Sequence, residues 1–188
     1  MENLLPTQGI AQYYGKVIPK PETYLERLLA NIDWKNDEVV MFGKRITTKR
    51  KTAWYGDEPF RYKYSGATKT ALPWTKELLE LKSLAEKTSG ETYNSCLLNL
   101  YHDGSESMGW HSDDEKTIAK NSAIASISFG AERKFSFKHK QTKVTVSLVL
   151  ENGSLLVMKG QTQEFWWHAV PKGKVLEVRV SLTFRRFV

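Results

Sequence analysis

The residues whose types and spacing could do chemistry are His111-Ser112-Asp113, a later His168, and Arg179 and Arg185 near the C-terminus. Two imidazoles and one carboxylate can hold an Fe(II) on one face and leave the opposite coordination positions open. Two residues apart in an extended segment, His111 and Asp113 point the same way and can act as adjacent ligands. Arginine's planar fork grips a carboxylate through paired hydrogen bonds, so Arg179 could hold the far end of a dicarboxylate while Arg185 supports the metal end. Each part has a plainer explanation. A His-x-Asp pattern arises by accident in a chain with four histidines, and His168, inside the run Phe165-Trp166-Trp167, could be a satisfied core histidine. His102 and His139 have no comparable setting.

Short strands must position these side chains. From Gly90 onward, alternating or apolar runs at 93–101, 123–129, 134–137, 144–150, 155–158, 165–168 and 175–187 predict strands. Asp103-Gly104, Asn152-Gly153, Lys159-Gly160 and Lys172-Gly173 supply turns, and a polar loop is expected from Asp103 to Trp110. Strand parity puts Asn99 with Tyr101, opposite Cys96, Leu98 and Leu100. In the last strand it separates Leu176, Val178, Val180, Leu182 and Phe184 from Arg179, Ser181, Thr183 and Arg185. Solvent exposure on an antiparallel strand is the ordinary explanation of such a polar face; the wall of a polar pocket is the other.

Ahead of the strands, Tyr24, Leu25, Leu28, Leu29 and Ile32 recur at helical spacing over 21–32, with Pro21 in the first turn. A second helix is expected over 74–88, ended by Gly90. Residues 39–44 and 49–54 predict a β-ribbon with a basic tip, and Trp54 and Trp74 are expected in the core. A mixed but mainly β chain with few helices predicts two packed antiparallel sheets, a jelly roll.

A chain of 188 residues suits one domain. Its 28 Lys and Arg against 21 Asp and Glu give a net charge of +7, which suits a polyanionic partner. The cations bunch at Lys44, Arg45, Lys49, Arg50 and Lys51, and again at Arg133, Lys134, Lys138, Lys140 and Lys143, although a charge run is often only a solvated face. A lone Cys96 excludes an internal disulfide and a multi-thiolate zinc site. No apolar run approaches the roughly 20 residues of a membrane span. The opening Met1-Glu2-Asn3-Leu4-Leu5-Pro6 lacks the pattern of a secretory signal, so an intracellular protein is expected.

Taken together, Asn99-Leu100-Tyr101, Asp103-Gly104, His111-Ser112-Asp113-Asp114-Glu115, Ile124 to Gly130, Gly153 to Met158, His168, Arg179 and Leu182-Thr183-Phe184-Arg185 resemble the AlkB family of Fe(II)- and 2-oxoglutarate-dependent nucleic-acid dioxygenases, and most of all its members that repair alkylated duplex DNA. The resemblance runs from Phe42 onward. It implies a single domain over 1–188, with an extended lead-in at 1–20, helices and a β-hairpin nucleotide-recognition lid at 21–90, and a double-stranded β-helix (jelly roll) at 91–188. It implies Fe(II) on His111, Asp113 and His168, and 2-oxoglutarate as co-substrate on Asn99, Tyr101, Arg179, Ser181, Thr183 and Arg185, with O2 as oxidant. Ser181 stands where a number of relatives place Asn.

The resemblance also assigns the substrate side. Tyr64, beside Tyr62, would stack on the damaged base, and Asp114 would accept from its exocyclic amine. Met41-Phe42-Gly43-Lys44 resembles a finger that fills the gap left by a flipped nucleotide, and Arg50 an arginine that steadies the displaced strand. The implied reaction hydroxylates an alkyl group on N1-methyladenine or N3-methylcytosine, releasing formaldehyde and succinate. Implied partners are alkylated single- or double-stranded DNA, or RNA, with no membrane; a monomer is expected, cytoplasmic if bacterial and nuclear if eukaryotic. Two alternatives stay open: an RNA or protein demethylase or hydroxylase on the same scaffold, and a nucleic-acid-binding sandwich without catalysis. Phe42 could also be a buried aromatic on a half-covered hairpin, and Tyr62 and Tyr64 plain strand aromatics.

Overall fold

The computed structural model describes residues 1–64 and 67–188, with the side chains of Val39, Met41, Lys63, Tyr64 and Ala67 outside the description. Two antiparallel sheets face each other. The larger contains β1 (Ile10–Lys16), β2 (Lys35–Met41), β3 (Lys44–Gly56), β7 (Ser95–Tyr101), β9 (Ile124–Gly130), β12 (Ser154–Lys159) and β14 (Arg179–Arg185), in the order β1-β12-β9-β14-β7-β3-β2. A two-residue strand, β6 (Leu72–Pro73), pairs parallel with β3. The smaller sheet runs β11 (Thr145–Leu150), β10 (Arg133–His139), β13 (Trp166–Val170), β8 (Met108–His111). A separate hairpin joins β4 (Arg61–Tyr64) to β5 (Ala67–Thr70). This is the jelly-roll architecture.

Alternation along the strands of the larger sheet decides what each face meets. Cys96, Leu98, Ile127, Phe129, Leu155, Val157, Val180, Leu182 and Phe184 point outward into a core covered by α1 (Pro21–Asn31) and α2 (Lys76–Ser89). Leu28 of α1 and Leu78, Leu81 and Ala85 of α2 are buried there; each buried leucine contributes roughly 2 kcal/mol. Thr75 caps α2 by accepting from the Leu78 amide, and Gly90 ends it in the left-handed region. A second core between the sheets gathers Ile124, Phe135, Phe137, Leu150, Leu156, Met158 and Trp166. No helix among the described residues is long and apolar enough to cross a membrane.

The structure corrects several sequence expectations. Part of the extended lead-in is the edge strand β1, paired with β12. The expected polar loop before His111 contains β8, and a helical turn, α3 (Thr162–Phe165), precedes β13. Leu176 is 85% exposed and lies before β14, so the apolar face of the last strand begins later. Trp54 lines a cavity rather than sitting in the core. Residues Arg45 to Thr48, expected at the ribbon tip, lie within β3; the turn is Phe42-Gly43, both at positive φ (50° and 75°). That pair of left-handed residues makes a two-residue turn matched to strand twist.

Candidate active site

Between the sheets the apolar packing stops and leaves a cavity of about 340 Å³. Its floor is the inner face of the larger sheet. The parity that sends Cys96, Leu98 and Leu100 outward turns Ser95, Leu97, Asn99 and Tyr101 of β7 into the cavity, and Arg179, Ser181, Thr183 and Arg185 of β14 lie directly opposite them. Arg50, Thr52 and Trp54 extend the wall onto β3, with Thr52 paired to Asn99 and Trp54 to Leu97.

The opposite wall holds His111, Asp113 and His168. Pairing of β8 with β13 sets His111 across from His168, with ring centroids 4.3 Å apart. Asp113 follows two residues on and is held by its amide, which donates to Gln163 Oε1 at 2.9 Å; Ser112 Oγ donates to the Trp166 carbonyl at 3.0 Å. The ring nitrogens and carboxylate oxygens of the three residues come within 4.8 Å of one another.

The donor set suits a metal ion. His111 Nδ1 lies 2.8 Å from the Gly109 carbonyl, which fixes that nitrogen as the N–H donor and leaves Nε2, 3.8 Å from Asp113 Oδ1, with its lone pair facing inward. Burial drives the His168 pKa down to about 3, so its ring is neutral at working pH. Burial pushes the Asp113 carboxyl up, but Arg185 and the two imidazoles outweigh it and hold the acid below its usual range. Arg185 Nη2 donates to Asp113 Oδ1 at 2.9 Å. The inward Nε2 of His111, the neutral ring of His168 and the ionised Asp113 carboxylate are donors that ligate a divalent ion.

Arg179 is fully buried and donates to Ser128 Oγ at 3.0 Å, yet its Nε and Nη1 have no partner, and no carboxylate among the described residues pairs with it. Burial lowers its pKa, and its guanidinium stands 5.3 Å from the Tyr101 ring centre. A buried cation with unused N–H groups is costly unless an anion meets it. With Asn99, Tyr101, Ser181 and Thr183 on the same surface, this end of the cavity fits the carboxylate of a small anionic co-substrate whose other end reaches the metal.

The substrate-side residues divide. Tyr62 lines the cavity, whereas the side chain of Tyr64, with Ser65 and Gly66, lies outside the described residues. Phe42, Gly43 and Lys44 form the exposed tip of the β2–β3 hairpin, with Phe42 99% exposed. Asp114 faces solvent and does not line the cavity; its neighbour Glu115 does, with Oε2 buried and without a partner. Arg50, expected to meet a displaced strand, instead lies in the cavity wall, because β3 parity turns it inward and Asp37 neutralises it there. Asp37 and Lys69 also line the cavity. Sequence reasoning missed both, and also a role for Glu115, whose place in an acidic run beside two expected functional carboxylates was the only available signal.

Known proteins are similar to this chain in sequence and fold. Residues 17–185 match the family model of the 2OG-Fe(II) oxygenase superfamily. The chain is 41% identical over 160 residues to mouse DNA oxidative demethylase ALKBH2, covering 80% of this chain and 67% of the relative. It is 42% identical over 197 residues to rat alpha-ketoglutarate-dependent dioxygenase alkB homolog 3, covering 97% of this chain and 66% of the relative. The human ALKBH2 match, at 41% identity, covers 80% of this chain and 61% of the relative, so the chain spans about two thirds of the length of these curated proteins. A solved structure of OsALKBH1 shares the fold with a TM-score of 0.67 at 15% identity, covering 97% of this chain and 98% of that one. With the cavity, the metal-ligand trio and these matches in agreement, the chain belongs to the 2OG-Fe(II) oxygenase superfamily and, within it, to the AlkB family.

Proposed function

We propose that this protein is an intracellular, monomeric DNA oxidative demethylase, a single catalytic domain over 1–188 that removes alkyl groups from the pairing edge of adenine and cytosine. The observation that carries this reading is one cavity holding His111, Asp113 and His168 on one wall and, on the other, Arg179 with its buried Nε and Nη1 unmet, with a hairpin carrying an exposed phenylalanine beside it. His111, Asp113 and His168 would hold Fe(II), and Asn99, Tyr101, Arg179, Ser181, Thr183 and Arg185 would receive 2-oxoglutarate. Bound together with O2, these groups supply the oxidising power that places a hydroxyl on the alkyl carbon, with 2-oxoglutarate leaving as succinate and carbon dioxide.

The chain's own residues do the positioning. Arg185 keeps the Asp113 carboxylate ionised and aimed, and the Gly109 carbonyl sets the His111 tautomer. Arg179 draws the dianion to one end of the cavity, because no acid among the described residues pairs with it. Tyr62 flanks the space for an extruded base, and Tyr64 is proposed to stack on it. The acceptor for an exocyclic amine, assigned to Asp114 by resemblance, is better met by Glu115, whose buried Oε2 lacks a donor. The hydroxymethyl product needs no protein base: its hydroxyl proton passes to water as the C–N bond breaks, the electron pair of that bond returns to the ring nitrogen, and formaldehyde departs.

A methyl on N1 of adenine or N3 of cytosine is hidden in a duplex, so the base must be extruded. The Phe42-Gly43 turn presents an apolar wedge, and Lys44 with Arg45 and Lys49 supplies phosphate contacts beside it. The test is formaldehyde and succinate release from matched single- and double-stranded oligonucleotides carrying N1-methyladenine. Release from DNA that requires 2-oxoglutarate supports the reading; turnover on methylated RNA or peptide alone, or DNA binding with no succinate, overturns it.

A further inference from the structure

The hairpin elements and the co-substrate wall meet at one buried carboxylate. Asp37 lies on β2 where the pairing with β3 slips between Asn36 and Glu38. Such a bulge re-aims a side chain, and here the carboxylate lines the cavity. Its Oδ2 accepts from Arg50 Nη2 at 3.2 Å and its Oδ1 from Lys69 Nζ at 2.7 Å. The Asp37 and Arg50 side chains are only 9% and 11% exposed. The second arm of the Arg50 fork, Nη1, donates to Asn99 Oδ1. Lys69 belongs to β5 and is the ladder partner of Tyr62 on β4.

Resting on the dioxygenase reading above, we propose that Asp37 is a positioning residue with two arms. Through Arg50 it fixes the amide of Asn99 for the co-substrate, and through Lys69 it seats the Tyr62 hairpin over the same cavity. A guanidinium only donates, so the Asn99 atom facing Arg50 is the oxygen and the NH2 is left for an acceptor. An anionic co-substrate needs that donor. Without Asp37, Arg50 loses its anchor and Asn99 its orientation. Arg50 would also stand as a second free cation in a cavity that addresses its anion through Arg179. On the lid side, the carboxylate holds the ammonium of Lys69 and therefore the strand pair that carries Tyr62.

Charge and positioning predict opposite results, which makes the role testable. Replacing Asp37 by Asn removes a negative charge from an anion-binding cavity, and charge alone would tighten 2-oxoglutarate. Positioning predicts weaker binding. In calorimetric titrations of 2-oxoglutarate into the Mn(II)-loaded protein, Asp37→Asn should raise Kd about fivefold or more, the worth of roughly one ordinary hydrogen bond. Asp37→Glu should recover most of the affinity. Arg50→Lys keeps the charge but loses the fork, and should weaken 2-oxoglutarate as Asp37→Asn does, which keeps the proposal testable if Asp37→Asn fails to fold. Lys69→Gln should weaken binding of a fluorescent N1-methyladenine oligonucleotide in anisotropy titrations by a larger factor than it changes the 2-oxoglutarate Kd.

Unchanged or tighter 2-oxoglutarate binding in both Asp37→Asn and Arg50→Lys overturns the co-substrate arm. Unchanged oligonucleotide binding in Lys69→Gln overturns the lid arm. If the wild-type protein neither binds 2-oxoglutarate nor forms succinate, the dioxygenase reading itself falls; normal wild-type binding and turnover beside unaffected variants removes only the role of Asp37.

Discussion

The Asp113 carboxylate is gripped by Arg185 at 2.9 Å on one side and faces two imidazoles on the other. Its replacement therefore separates chemistry from binding. Asp113→Asn should lower succinate formation by more than about a hundredfold, beyond the range typical of groups that merely support a ligand. It should also lower the unfolding free energy by about 3 kcal/mol, because the buried Arg185 loses its partner. Oligonucleotide affinity of the folded fraction, read by anisotropy, should stay within about threefold of wild type, since phosphate contacts dominate affinity; equal loss of both would contradict a local role. His111, Asp113, His168 and Arg179 were legible in the sequence because their types are chemically specific and their spacing fits strands. Asp37 was not, because a bulge breaks the parity on which such inference depends. Glu115 was obscured by its neighbours: three consecutive acids at 113–115 give no sign of which one turns inward.

Among the elements, the β2–β3 hairpin shows a local conflict. A turn with both residues left-handed favours Asn-Gly, yet Phe42 stands first at φ 50° and is almost fully exposed. Holding a non-glycine residue there costs about 1 kcal/mol. Phe42→Asn should therefore raise thermal stability by up to about 1 kcal/mol while impairing duplex repair several times more than single-strand repair. Equal effects on the two substrates, from paired formaldehyde assays, would remove the wedge. Strand parity anticipated the polar faces of β7 and β14 because both strands are long and regular. It missed β1 and β8. Neither alternates cleanly: β1 is an edge strand with a register slip between Tyr13 and Gly15, and β8 has four residues, including Gly109. The ribbon tip was misplaced because the basic residues of β3, which read as a loop, continue a strand that runs to Gly56.

For the whole molecule, a net charge of +7 is distributed over a fold whose inner wall keeps several of its arginines away from solvent. Arg50, Arg133, Arg179 and Arg185 are committed to internal partners or to the cavity, so on the proposed reading DNA contact would fall to surface cations such as Lys44, Arg45, Lys49, Lys134 and Lys138. If about five phosphates are neutralised, the slope of log K against log salt should be near −4 or −5, measured by anisotropy between low and physiological ionic strength. A flat salt dependence would rule out this surface. The two unmet N–H groups of Arg179 bear on the lifetime of the protein. With Nε and Nη1 buried and unmet, the cavity carries a desolvation cost that an arriving dicarboxylate relieves. Ligand at a hundred times its Kd stabilises a folded chain by about 2.7 kcal/mol, so digestion by a dilute protease should slow by up to about a hundredfold when 2-oxoglutarate and Mn(II) are added together. On the proposed reading, the lifetime of the chain would follow the supply of 2-oxoglutarate, so that scarcity of the co-substrate would cost folded protein as well as turnover.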